Sequence, residues 1–295
     1  MGMDDRARQA GAQAEYLTGL FGLRNQVAIV TGGTGVLGGA MAHGLARAGA
    51  RVGVLGRRHD RASAVAAGIV AAGGEALAVP ADVLRQDELV VARERILDHW
   101  GHIDILVNAA GGNVAAATLG DDRTFFDLPM DAFEQVLNLN LLGTVVPSQV
   151  FGAAMVQRRP DDDPEAPRGC IVNVSSLAAG RAMTRVVGYA AAKAAIDNFT
   201  RWLATDLARS HGVGLRVNAI APGFFLGEQN RRLLVEDDGA LTPRGQTVIA
   251  HTPAGRFGEP ADLVSTLLWL CGPGSGFVNG VVVAVDGGCS AFSGI

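Results

Sequence analysis

The stretch VAIVTGGTGVLGGAMAHGLA, residues 27–46, decides the fold. It opens with a short apolar run, passes through a cluster of glycines, and continues as an Ala-rich segment with apolar residues near helical period. That order, strand then glycine turn then helix, is the first unit of a parallel βαβ arrangement. Gly33, Gly35 and Gly38 satisfy the spacing G-x-G-x-x-G. Glycine there permits a tight turn, lets backbone amides approach a pyrophosphate and lets the helix sit close to the strand. A tight turn with no ligand is the blander reading. The position directly after the first strand favours a dinucleotide site.

The same alternation runs on to the end of the chain. Strand candidates are QVAIVT, RVGVL, ALAVP, IDILVNA, CIVNVSS, LRVNAIAP and VVVAVDGG. Between them lie helical segments such as RASAVAAGIVAAGG and DELVVARERILDHWG, several of them ending at Gly, the usual helix stop. Strands apolar throughout and separated by helices belong to a parallel sheet covered on both faces. The expected fold is therefore α/β, a Rossmann-type doubly wound parallel sheet of about seven strands in one domain, residues 25–295. Residues 1–24 read as a polar N-terminal extension, and RRPDDDPEAPRG (158–169) as a surface loop. The segment 223–259, rich in Arg, Glu and Gly, interrupts the alternation and reads as a substrate lid.

Composition narrows the function. The chain of 295 residues is 48% hydrophobic and 18% charged, with net charge -4 and no long run of either sign. That argues against nucleic acid or an anionic membrane as principal partner. No uninterrupted apolar stretch of membrane-spanning length occurs, and MGMDDRARQAGAQAEYL lacks the apolar core of a signal peptide, so a cytoplasmic location is expected. Cys170, Cys271 and Cys289 are odd in number and have no metal-like spacing, which predicts free thiols and no metal site.

A dinucleotide site calls for a ribose-reading residue at the end of the second strand, usually Asp or Glu where the ligand is NAD. Here the sequence is VLGRRHDR, with Gly56 followed by Arg57 and Arg58. Two guanidiniums and no acid suit a 2′-phosphate. NADP is the expected cofactor, with NAD as the alternative.

Lys193 is the only lysine of the chain; the other 24 of its 25 basic Lys and Arg residues are arginine. It lies four residues after Tyr189, so on a helix the two side chains share a face. A phenol with pKa near 10 is a poor base. An adjacent ammonium favours the phenolate and is expected to bring the tyrosine toward neutral proton transfer. Lysine's compact charge can also donate to a ribose hydroxyl, which a planar guanidinium would meet differently.

Tyr189-x-x-x-Lys193, with Ser176 in IVNVSS, resembles the active site of the short-chain dehydrogenase/reductase family. The likeness runs over residues 26–288 and includes TGGTGVLG, ADV at Asp82, NAAGG at Asn108, which in the family steadies the central sheet, Asn140 in LNLNLLGT, APG at 221–223 and VDGG. It implies that Tyr189 is the general acid/base, Ser176 orients the substrate oxygen, Lys193 tunes the tyrosine and holds the ribose, and Asn140 completes a proton relay. It further implies cofactor contacts from Gly32, Gly35, Val36, Leu37, Arg57, Arg58, Asp82, Val83, Asn108, Ala109, Pro222, Gly223 and Phe225, together with Tyr189 and Lys193, and a homotetramer. Two positions depart from the family pattern. Val36 stands where glycine is common, and Gly227 where a threonine usually bonds the carboxamide.

Within the family, LGRR, NAAGGN, TFFDL, APGFFLGEQNRRLL, LTPRGQ, HTPAGRFGEP and FSGI look most like the D-mannonate oxidoreductase (fructuronate reductase) subgroup. A carboxylated polyol needs a cation for its carboxylate and amides or hydroxyls for its diol edges. The segment 223–259 offers Gln229, Asn230, Arg231, Arg232, Arg244, His251 and Arg256. Expected substrate contacts are Asn113, Ser176, Arg185, Gln229, Asn230 and Arg231, with Arg231 first for the carboxylate. The competing expectations are a reductase of another ketone, such as a 3-oxoacyl thioester, and a cofactor-sensing protein without turnover. A sensor has no use for the complete Ser176, Tyr189 and Lys193 set.

Overall fold

The computed structural model describes residues 3–120, 123–157, 169–212, 214–227 and 231–294. In chain order its elements are α1 (Met3–Phe21), β1 (Val27–Thr31), α2 (Val36–Arg47), β2 (Arg51–Gly56), α3 (His59–Ala71), β3 (Glu75–Pro80), α4 (Gln86–Trp100) and β4 (Ile105–Asn108). There follow α5 (Met130–Leu137), α6 (Gly143–Gln157), β5 (Gly169–Val174), α7 (Val187–His211), β6 (Leu215–Pro222), α8 (Arg231–Leu234), α9 (Pro243–Ala250), α10 (Val264–Cys271) and β7 (Val282–Val285). The seven strands form one sheet in the order β3-β2-β1-β4-β5-β6-β7, every pair parallel. All seven expected strands are present. The order reverses between β1 and β4, and in such sheets ligands bind outside the carboxyl ends at that reversal.

Period-two alternation sorts each strand into two cores. Ala28 and Val30 of β1 face one layer, with Met41 and Leu45 of α2, Ile69 of α3 and Leu267 and Leu270 of α10. Val27 and Ile29 face the other, with Leu89 and Ile96 of α4, Val150, Phe151 and Met155 of α6, and Ala204 of α7. Residues apolar on both faces are thus all used, which is why these strands read as continuous hydrophobic runs.

Small residues set the helix spacing. A Cβ on Gly44 would come within 2.6 Å of Val264 Cγ1, so α2 and α10 cross at a distance that only glycine allows. A Cβ on Gly38 would lie 2.3 Å from the Gly32 carbonyl, which seats α2 directly on the turn after β1. The N-terminal extension contains a helix, and the end of α1 reaches the loop after α10. A Cβ on Gly272 would stand 2.6 Å from the Leu20 carbonyl, and Leu23 just beyond is fully buried.

One helical run of the described residues, Met130–Gln157, is long and apolar enough by composition to cross a membrane, yet half of its most apolar window is buried within the fold. It is the interior helix of the second layer, interrupted by a π turn at Asn138–Leu142. Such turns insert one residue into the helical ladder and often mark functional sites.

Candidate active site

The carboxyl ends of β1 and β4 meet at Thr31, whose Oγ1 accepts from the amides of Ala109 and Ala110 at 3.1 and 3.2 Å. Gly32 follows with φ 63°, and a Cβ there would press to 2.7 Å on the Ala109 carbonyl and the Ala110 amide. Only glycine lets the two loops approach so closely. The N-terminus of α2 has no side-chain cap and no acid in its first turn. Its first amides therefore remain available to an anion, and the positive end of the helix dipole points at the switch point. Gly35 caps the helix, Val36 is exposed at its start, and Leu37 packs partly into the core. This cradle fits a dinucleotide pyrophosphate.

At the ribose end, Arg57 and Arg58 are both exposed beyond β2, Arg58 standing as the cap residue of α3 without a capping side-chain bond. A Cβ on Gly56 would strike Thr34 at 2.9 Å, so the strand end is closed beneath them. Asp82 accepts from the Leu84 amide, and its own amide donates to Glu88. Val83 beside it is buried in the core.

The side chain of Asn108 works within the sheet. Its Nδ2 donates to Ser148 Oγ and to Asn173 Oδ1, both at 2.9 Å, and the residue is 1% exposed. Asn173 in turn donates to Thr200 on α7, while Ser148 donates to the Thr144 carbonyl and Thr144 to that of Asn140. A buried polar chain thus ties β4, β5, α6 and α7 together behind the site. Partnered networks of this kind rigidify what they connect.

Asn140 sits in the π turn and is fully buried. Its Nδ2 donates to the carbonyls of Gly112 and Val136, and its Oδ1 accepts from the Gly112 amide. The loop after β4 is held against α5 by this one amide. Asn113 then turns back on its own loop, Nδ2 donating to Thr118 Oγ1 at 2.7 Å, while its Oδ1 is buried with no partner among the described residues.

Ser176 leaves β5 in extended conformation and its Oγ accepts from the Ala178 amide. Tyr189 stands at the start of α7, and the Ser176 hydroxyl favours its ionised form. Lys193, one turn on, is 4% exposed; its Nζ donates to the Val174 carbonyl at 2.7 Å and lies 5.5 Å from the centre of the Tyr189 ring. A Cβ on Gly111 would come within 2.6 Å of Asn140 Oδ1 and 3.5 Å of Lys193 Nζ. The lysine therefore meets the Asn140 loop at a point where a side chain has no room.

The electrostatics correct one expectation. Burial pushes the Tyr189 phenol above its ordinary value, and the Ser176 hydrogen bond only partly opposes this. Lys193 is brought down to about 8 by burial, with Asp197 working the other way. For each group desolvation is the largest cause of the shift. Asp197, a turn beyond Lys193, accepts from Ser175 Oγ, and burial raises its carboxyl. Its spacing of four from Lys193 was visible in the sequence; its bond to the residue before Ser176 was not.

On the substrate side, Pro222 ends β6 and the Gly223 amide donates to Val285. The Phe225 ring is buried against Gly258 at the root of the 223–259 segment. Arg231 is exposed on the short α8, and Gln229 and Asn230 lie outside the described residues. Arg185 is half-buried, its Nε donating to the Leu119 carbonyl at 2.7 Å. Arg244 of α9 is half-buried, and burial, followed by the charge of Arg185, lowers its guanidinium from the ordinary value. Among the described residues no group of His, Cys, Asp and Glu could hold a metal.

A glycine cradle at the switch point and a Ser–Tyr–Lys set facing it define a nicotinamide-dependent dehydrogenase. The profile described as short chain dehydrogenase matches residues 26–237, and the chain belongs to that family. It is an NAD(P)-dependent oxidoreductase. A Bacillus subtilis protein called uncharacterized oxidoreductase UxuB is 46% identical over 282 residues, 92% of this chain and 98% of that one. A crystal structure from Haemophilus influenzae with bound NAD, provisionally called a D-mannonate oxidoreductase, has a TM-score of 0.84 at 40% identity over 95% of this chain and 100% of that one. A gluconate 5-dehydrogenase from Burkholderia cenocepacia in complex with NADP and tartrate has a TM-score of 0.81 at 29% identity, covering 94% and 99%.

Proposed function

We propose that the enzyme interconverts a secondary alcohol and a ketone on a sugar acid of the D-mannonate/D-fructuronate type, in the cytoplasm, as a homotetramer, with NADP(H) preferred over NAD(H). The observation that carries the reading is the Ser176–Tyr189–Lys193 set, with Lys193 buried and its Nζ 5.5 Å from the centre of the Tyr189 ring. Relatives and structural neighbours named for gluconate and mannonate chemistry support the substrate class. The exposed Arg57 and Arg58 support a 2′-phosphate.

When bound, the nicotinamide supplies or accepts the hydride. The chain's own residues handle the proton and the alignment. Ser176 and Tyr189 hold the substrate oxygen between two hydroxyls. Tyr189 gives its proton to that oxygen on reduction and takes it on oxidation. Lys193 is positioned to hold the ribose, and its charge favours the phenolate as that form develops. Asn140 fixes the loop at Gly111 and Gly112 beside the lysine, and the family likeness gives it a place in the proton relay. Arg57, Arg58, Gly32, Gly35, Val36 and Leu37 hold the dinucleotide's phosphates, and Asn113, Arg185 and Arg231 are the described polar groups for the sugar acid.

The test is nicotinamide absorbance with D-fructuronate, neutral ketoses and 3-oxoacyl thioesters as substrates. The reading requires the highest kcat/KM with the sugar acid. A clear preference for a neutral ketone or a thioester would leave a reductase but remove the sugar-acid assignment.

A further inference from the structure

We infer that Asp286 is a positioning residue of the active site. Through the turn that it folds after β7, it fastens the end of the 223–259 segment to the loop that follows Ser176, where Arg181 takes hold of the turn. The inference rests on the reading of 223–259 as the substrate segment. It gives a role to VDGG and to the residues after it, which the chemistry above leaves unused.

Asp286 spends its whole carboxylate on the backbone. Oδ1 accepts from the Gly288 amide at 2.9 Å and Oδ2 from the Ser290 amide at 2.7 Å. Its carbonyl accepts from the Cys289 amide at 3.2 Å. Aspartate commonly takes the amide two residues on. Here a second amide, four residues on, closes the chain into one compact turn. An ionised acceptor makes both bonds stronger than neutral ones. Gly287 and Gly288 have φ of 63° and 86°, a region that glycine enters without strain.

The folded turn meets three parts of the site. Gly223, at the end of β6, donates its amide to the Val285 carbonyl at 3.0 Å, and a Cβ there would stand 2.7 Å from Asp286 Cα. The Gly287 carbonyl accepts from the Ala254 amide at 3.0 Å, and a Cβ on Gly287 would press to 2.9 Å on Ala254 and Thr252. On its far side, the Ser290 carbonyl accepts from Arg181 Nη2, from a residue 109 positions earlier. Arg181 lies just beyond the helical turn Leu177–Ala179, which Ser176 caps.

Apolar packing does not close this seam. A cavity of about 220 Å³ is lined by Phe225, Thr252, Ala254 and Gly287 among others. The hydrogen bonds of the turn, rather than a filled core, therefore set the spacing between the segment and the Ser176 loop. A misplacement of about 1 Å beside reacting groups can cost a hundredfold in rate.

The experiment uses the full chain, unmodified and as Asp286→Ala, Asp286→Asn, Arg181→Met and Arg181→Lys. Kinetics are taken with whichever of D-fructuronate, D-fructose and a 3-oxoacyl thioester gives the highest kcat/KM, so the result does not hang on the sugar-acid assignment. Amide hydrogen exchange across 252–255 needs no substrate. Asp286→Ala is expected to speed exchange at Ala254 and to raise the substrate KM, each by about ten- to a hundredfold. Asp286→Asn should fall between, because its carbonyl oxygen keeps one of the two amides. Arg181→Met should raise the same KM and leave the Kd for NADPH unchanged, and Arg181→Lys, which restores a donor, should recover part of the loss. The double variant Asp286→Ala, Arg181→Met should exceed the larger single effect by little, because both act through one turn. Unchanged exchange at Ala254 in Asp286→Ala would overturn the fastening itself. Faster exchange with an unchanged KM would leave the turn a structural element only, and would remove the 223–259 segment from the substrate site.

Discussion

Asn140 clasps Gly112 from both sides: its Nδ2 donates to the Gly112 carbonyl at 2.7 Å, and its Oδ1 accepts from the Gly112 amide at 3.1 Å. The same Nδ2 donates to Val136 at 2.8 Å. Asn140→Asp removes both donated bonds and brings a charge into a fully buried place. Each unsatisfied buried group costs about 1–3 kcal/mol, and a loop displaced by about 1 Å beside reacting groups can cost a hundredfold in rate. The variant should show a lower denaturation midpoint and a kcat reduced by more than tenfold. Near-native values of both would contradict the clasp.

Lys193→Arg should fold and yet lose most turnover. The Nζ site is enclosed by the Val174 carbonyl, the Tyr189 ring and the Gly111 backbone, so the larger planar group has to displace one of them. Overpacking a dense interior typically costs about 1–3 kcal/mol, which the fold can absorb but the alignment cannot. Circular dichroism and steady-state kinetics on the same preparation check this, and a rate within twofold of the unmodified enzyme would count against it.

The burial of Lys193 has a signature in stability. Its folded value is about 8 against 10.5 for the exposed group. Between those values the unfolded chain carries a proton that the folded chain has released, so stability rises with pH across that window. Lys193→Met lacks the effect. The cofactor-free enzyme should therefore gain stability over this variant from pH 8 to 10.5, by on the order of 3 kcal/mol. Urea midpoints taken at several pH values provide the measurement, and parallel curves for the two proteins would be the adverse result.

Asp197 opposes the burial of Lys193 by its charge and accepts a hydrogen bond from Ser175. Asp197→Asn keeps a hydrogen-bond acceptor and removes the charge. Lys193 should then lose its proton at lower pH, and the high-pH limb of the kcat/KM profile should move downward. A limb that stays in place would mean that the carboxylate does not act through the lysine.

Cofactor choice should turn on Arg57. The arginine is exposed beyond β2, whose last residue is Gly56 and not an acid, and one guanidinium–phosphate contact is worth about 1.5–3 kcal/mol, or roughly ten- to a hundredfold in preference. The enzyme should favour NADP(H), and Arg57→Asp should reverse the order, with Arg58→Ala having the smaller effect. Kinetics with both cofactors decide it; equal use of NAD(H) by the unmodified enzyme would refute the preference.

The sheet was legible in the sequence because every strand is buried on both faces. Seven apolar runs therefore stood out between helical segments, and all seven are strands. Lys193 and Tyr189 were legible for a different reason, since a spacing of four on a helix puts two side chains on one face. Asn108 was legible as part of a motif that steadies the sheet, but its partners were not. Its amide is taken up by Ser148 and Asn173, which lie 40 and 65 residues away. The direction of the Tyr189 shift was likewise hidden, because it depends on how completely the ring is removed from water.

The sequence by itself therefore determined the class of fold, the order of its units, the cofactor cradle and the chemistry-bearing residues, all of which follow from local periodicity and short spacings. Only the tertiary structure decided which buried polar groups meet. Asn108 of β4, Ser148 of α6, Asn173 of β5 and Thr200 of α7 join in one chain of hydrogen bonds, and nothing in any of the local sequences marks them as partners. Amides and hydroxyls turn to one another only once packing has taken away the water they would otherwise bond.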